Sequence, residues 1–71
     1  GYCDYIFLPK KGGKPAIILE LKVNDTCDHA MKQIKERGYL QKAQEHAKEV
    51  ILVAISYNKD RKKHECVIEA C

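Results

Sequence analysis

Ala16-Ile17-Ile18-Leu19-Glu20-Leu21-Lys22-Val23 is the stretch that decides how this 71-residue chain folds. It reads as a strand that is apolar except for an acid and a base two residues apart. Residues two apart in a strand project from one face, so Glu20 and Lys22 point together while Ile17, Leu19, Leu21 and Val23 point the other way. Burying a carboxylate and an ammonium beside so much aliphatic surface costs roughly several kcal/mol per ion, unless each finds a partner or a metal. The plainer alternative is a solvated hairpin face carrying a Glu–Lys pair.

The expected partner is Asp4. Residues 1–8 read as a strand, and Pro9-Lys10-Lys11-Gly12-Gly13-Lys14-Pro15 as a turn with Gly-Gly at its tip. A hairpin pivoting on Gly12 places Asp4 opposite Glu20, Tyr2 opposite Lys22 and Ile6 opposite Ile18. Directly opposed Cβ atoms lie about 4.5–5.5 Å apart. Two carboxylates at that spacing can share one divalent cation, with the lysine beside it. The register follows from parity and turn position, and a slip of one residue would undo it.

Downstream, Asn24-Asp25-Thr26 offers an N-cap, with Asp25 and Asp28 placing negative charge at the start of a helix. Cys27, Ala30, Met31 and Ile34 recur at helical spacing, which predicts an amphipathic helix over 26–36 with Met31 and Ile34 in the core. Gly38 interrupts it, and Leu40, Ala43 and Ala47 continue the apolar stripe in a second helical stretch. Residues 50–57 (VILVAISY) form a nearly unbroken β-branched run, the pattern of a strand covered on both faces. A helical crossover from the Glu20 strand favours parallel pairing. Residues 58–63 read as a polar loop and 64–71 as a short edge strand, with Cys66 and Ile68 on one face. The order β-β-α-(α)-β-β is an α/β arrangement with a mixed sheet, one domain over residues 1–71.

Composition agrees with a folded domain: 45% of residues are hydrophobic and 32% charged. No run approaches the roughly 18 apolar residues of a transmembrane helix, and no secretory signal is visible. The net charge of +3 permits nucleic-acid binding without arguing for it. Cys3, Cys27, Cys66 and Cys71 show no disulfide framework, and Cys27-x-His29 and His64-x-Cys66 are tighter than common zinc pairs. Reduced, partly buried cysteines of a cytoplasmic protein are the expectation. His29, His46 and His64 have no clear partners in the sequence and read as surface residues.

Asp4, a glycine-containing turn, and then Ile18-Leu19-Glu20-Leu21-Lys22 resemble the D…(D/E)-x-K core of the PD-(D/E)XK nuclease superfamily. Ala30-x-x-Gln33-Ile34 and Tyr39 resemble the glutamine and tyrosine that follow this core in several branches. The chain is most similar to a bacterial branch in which such a domain lies C-terminal to a predicted AAA-type ATPase. Cys3 stands where the superfamily's name has proline. The resemblance implies a restriction-endonuclease-like core whose first helix is missing from these 71 residues, as in a fragment of a longer protein, so that activity of the isolated piece stays open.

It further implies metal-dependent phosphodiester hydrolysis, of DNA before RNA, with Asp4, Glu20 and the backbone carbonyl of Leu21 as ligands. Hard oxygen donors suit Mg²⁺ or Mn²⁺. Lys22 would position the attacking water or stabilise transition-state charge; beside two carboxylates the charged ammonium is favoured, so the electrostatic role is expected. By the same resemblance Gln33 orients phosphate or water, against a solvent-facing role. Tyr39 contacts nucleic acid, against plugging the helix break. Lys10 and Lys11 at the hairpin tip, with Lys14 and the run Arg61–Lys63, could meet phosphates, but a solvated turn explains them as well. Two other functions remain open: an inactive nuclease-like module for nucleic-acid binding or regulation of an attached ATPase, and a small interaction domain with ordinary salt bridges. An exposed surface left by the missing helix could support a homodimer.

Overall fold

The computed structural model describes the backbone of residues 3–71 and the side chains of residues 5–71. The expected pairing of Tyr2 with Lys22 lies outside the described residues. Four strands and two helices follow in the order β1 (Cys3–Phe7), β2 (Ala16–Val23), α1 (Cys27–Glu36), α2 (Tyr39–Gln44), β3 (Val50–Asn58) and β4 (Lys63–Ala70). The sheet order is β1-β2-β3-β4, with β2 and β3 parallel and both outer pairs antiparallel. This is the expected α/β architecture with a mixed sheet. Leu8, assigned to the first strand from sequence, lies beyond β1, next to Pro9, which cannot donate to a ladder.

The hairpin register is the one that parity predicts: Asp4 pairs with Glu20 and Ile6 with Ile18. Gly13, at φ 86°, supplies the left-handed backbone that the turn requires. Along β2 and β3 buried and half-buried residues alternate. Ala16, Ile18, Glu20 and Lys22 face α1 and α2 together with Val50, Leu52, Ala54 and Ser56. Cys27, Ala30, Met31 and Ile34 of α1 and Ala43 of α2 close the core above them, flanked by Tyr39, Leu40 and Ala47.

The Thr26 side chain caps α1 by accepting a hydrogen bond from the backbone N–H of His29 at 3.1 Å. The break after α1 is made by Gly38, whose φ of 75° continues no right-handed helix. A 2.7 Å ion pair between Lys35 and Glu69 ties α1 to the edge strand β4.

Burial departs from expectation on β3. Its unbroken apolar run predicts cover on both faces, yet Ile51, Val53, Ile55 and Tyr57 are only half-buried. Both helices pack on one side of the sheet, and the other side is sheltered only by neighbouring side chains among the described residues. Tyr5, Phe7 and Ile68 lie exposed on that side. No helix among the described residues is long and apolar enough to cross a membrane.

Candidate active site

Glu20 and Lys22 lie in the carboxyl-terminal half of β2, on the face the helices cover, and are 1% and 5% exposed. Their neighbours across the parallel pair are small: Ala54 stands beside Glu20, and Ser56 beside Lys22. The small residues leave room for the long polar ones under α1. This end of a parallel pair is where open α/β sheets hold their ligands, outside the carboxyl ends of the strands.

Neither carboxylate oxygen of Glu20 has a hydrogen-bond partner among the described residues. A buried carboxylate without such bonds carries an uncompensated desolvation cost. The nearest cation described is Arg37, whose Nη1 lies 3.6 Å from Oε2 of Glu20. That is an ion-pair distance but too long for a hydrogen bond of useful strength. Arg37 is the C-cap residue of α1. Its Nη2 donates to Oε1 of Gln33 at 3.3 Å, and its backbone N–H donates to the carbonyl of Gln33 at 3.0 Å.

Among the described residues no group of three or more His, Cys, Asp or Glu side chains is placed to hold a metal ion; Glu20 supplies one carboxylate of the kind a hard divalent cation takes. Oxygen ligands without competing hydrogen bonds are what Mg²⁺ or Mn²⁺ takes, and the backbone of Asp4 stands directly opposite Glu20. The side chain of Asp4 lies outside the described residues. Leu21 sits between Glu20 and Lys22 on β2, with Cys3 and Ile55 as its register neighbours.

The structure gathers some of the residues singled out from sequence and leaves others apart. Glu20, Lys22 and, through Arg37, Gln33 form one cluster. Gln33 is half-buried, and its side chain accepts a hydrogen bond from Arg37. Tyr39 opens α2 and packs against the core. Lys10 and Lys11 are exposed in the hairpin turn. Four residues of β2 separate that end of the strand from Glu20, roughly 13 Å at about 3.3 Å per residue.

Beyond Lys22, a polar recess of ≈ 200 Å³ opens at the ends of β2 and β3, with Thr26, Ser56, Arg61 and Lys63 in its walls. Asp25 lines it too; its carboxyl is held below the usual value, first by the hydrogen bond from the Thr26 N–H and then by His29. Cys27, 4% exposed, borders the same region, its Sγ 3.6 Å from Oγ of Ser56 and 3.4 Å from the carbonyl of Glu65.

Several expectations are corrected. His29 has a partner: its Nδ1 lies 2.6 Å from Oδ1 of Asp25, one helical turn back. His64 packs its ring 4.5 Å from that of Tyr57, its cross-strand neighbour. Among the cysteines Cys27 is buried, but Cys66 and Cys71 are exposed rather than partly buried; Cys66 lies on the face of β4 away from the helices, over which nothing packs among the described residues. Sequence reasoning misses Arg37 altogether. Its i+4 spacing from Gln33 is the available signal.

A family model of the PD-(D/E)XK nuclease superfamily matches residues 1–66. No curated protein and no solved structure matches the chain.

Proposed function

From the premise that this chain belongs to the PD-(D/E)XK nuclease superfamily, we propose that it serves hydrolysis of phosphodiesters in nucleic acid, DNA before RNA, with Mg²⁺ or Mn²⁺ held by Asp4, Glu20 and the carbonyl of Leu21. The observation that carries the metal reading is the carboxylate of Glu20, 1% exposed and with neither oxygen hydrogen-bonded among the described residues. A bound cation supplies an activated water and charge neutralisation at the phosphoryl group. The chain's own residues do the rest. Lys22, fixed on the same face two residues on, stabilises negative charge developing on the phosphate. Gln33 orients phosphate or water, and it bonds Arg37 as well. The recess bearing Arg61 and Lys63 offers cations for a neighbouring phosphate, where each contact adds salt-dependent affinity. Exposed thiols at Cys66 and Cys71 suit a reducing, cytoplasmic setting.

A second reading draws support from Arg37. A guanidinium already facing Glu20 is what a nuclease-like module retired to nucleic-acid binding, or to regulating an attached ATPase, would also carry. Calorimetric titration with Mn²⁺ separates the two, run on this chain and on Asp4→Asn. Binding by the parent that disappears in the variant supports the hydrolytic reading. Equal binding by both, or none by either, sinks it in favour of the binding module.

A further inference from the structure

Arg37 stands beside a carboxylate that the proposed reaction needs for a cation, and its guanidinium also bonds the side chain of Gln33. We propose that Arg37 is the counter-ion of Glu20 in the cation-free site, held in place by Gln33, and that it gives up this carboxylate when a divalent cation binds. The inference rests on the metal reading above and adds to it a residue that the D…(D/E)-x-K pattern does not contain.

Charge is the first ground. Glu20 is buried with no hydrogen bond to either oxygen among the described residues, so in the cation-free protein its charge is offset across space by Arg37 at 3.6 Å. Pairing without hydrogen bonding compensates a buried carboxylate only in part, and the oxygens stay open to a better ligand.

Geometry is the second. Arg37 has a foot in each medium: its side chain is 35% exposed, so it reaches Glu20 from the solvent side and can withdraw without crossing the core. Gln33 is the tether: its side-chain Oε1 accepts from Nη2 at 3.3 Å. This makes Gln33 a positioning residue that acts through arginine.

Exclusion is the third. A Mg²⁺ or Mn²⁺ ion sits about 2.1 Å from a carboxylate oxygen. A guanidinium within ion-pair distance of the same oxygen would repel it with little water between them. The two cations therefore compete for Oε2 of Glu20, and cation loading is coupled to the position of Arg37.

The test is a calorimetric Mn²⁺ titration of the parent, Arg37→Gln, Arg37→Lys and Glu20→Gln, with thermal melts in the absence and presence of Mn²⁺. Removing the competing charge should tighten Mn²⁺ binding about tenfold in Arg37→Gln and enlarge the Mn²⁺-induced rise in Tm. Arg37→Lys, which restores the charge, should fall back towards the parent. Gln33→Ala should tighten binding less than Arg37→Gln, and it carries the same comparison if Arg37→Gln does not fold. Unchanged or weaker binding in Arg37→Gln overturns the proposal; if Glu20→Gln still abolishes binding, the metal reading survives that result. Undiminished binding in Glu20→Gln, or no binding by any of the proteins, overturns both.

Discussion

Arg37 Nη1 and Glu20 Oε2 face each other at 3.6 Å, one group 35% exposed and the other 1%. The asymmetry sets what each loses when the pair is broken. Arg37 remains hydrated and bonded to Gln33, whereas Glu20 depends on a charge it does not hydrogen-bond. Glu20→Gln should therefore stabilise the cation-free fold, by about 1–2 kcal/mol, because it removes a buried charge and leaves Arg37 hydrated. Urea denaturation in a chelating buffer reads the change directly. A net loss of stability would show that Arg37 already compensates Glu20 in full.

Gly38 fixes where α1 stops, and so where Arg37 stands. Its φ of 75° is one that a side chain disfavours, although a Cβ there would meet nothing within 4 Å. Gly38→Ala should cost about 1–2 kcal/mol from backbone conformation alone. Gly12→Ala is the control: also in open space, but without a positive φ. It should stay within about 0.5 kcal/mol of the parent. Equal effects at the two positions would mean that the left-handed turn is not what ends the helix.

Much of this arrangement is legible in the amino-acid sequence, for definite reasons. Gly12-Gly13 at the turn tip and the placement of Glu20 and Lys22 two residues apart make legible the register that sets Asp4 opposite Glu20, since a slip of one residue would send Asp4 to the other face. Thr26 and Gly38 bound α1 through side-chain and backbone chemistry that the residue types announce. Residues 50–57 mislead because an apolar run reports what a strand could bury, not whether a second layer is there to bury it. The contact of Arg37 with Glu20 is invisible for another reason. Arg37 lies at the margin of the helical stripe, and only the three-dimensional path of α1 over β2 brings its tip to Glu20. The His29–Asp25 pair, by contrast, has the i,i+4 spacing at which helical side chains meet.

Asp25 makes stability depend on pH in acid. Its carboxyl accepts from the Thr26 N–H at 2.8 Å and lies 2.6 Å from His29 Nδ1, which together hold it below the ordinary value of 3.8. A carboxyl depressed in the folded state stabilises the fold fully above its unfolded value, and the contribution fades as pH falls through the folded one. The difference in Tm between the parent and Asp25→Asn should hold down to pH 3.8 and close below it. Melts at about pH 4.5 and about pH 2.5 bracket that window; the same difference at both would exclude Asp25 as its source.

The two faces of the sheet should answer mutation very differently. Leu52 is fully buried beneath the helices, while Ile68, on the neighbouring strand but the opposite face, is 66% exposed. Leu52→Ala removes packed atoms from a site closed by α1 and should cost about 2–5 kcal/mol. Ile68→Thr removes little that is sheltered and keeps β-branching in a strand, so its effect should stay within about 0.5 kcal/mol. Chemical denaturation of the two variants, at protein concentrations differing tenfold, supplies the comparison. A large loss at Ile68 would mean that the outer face is covered in solution, and a dependence of that loss on concentration would mean that a second copy of the chain covers it.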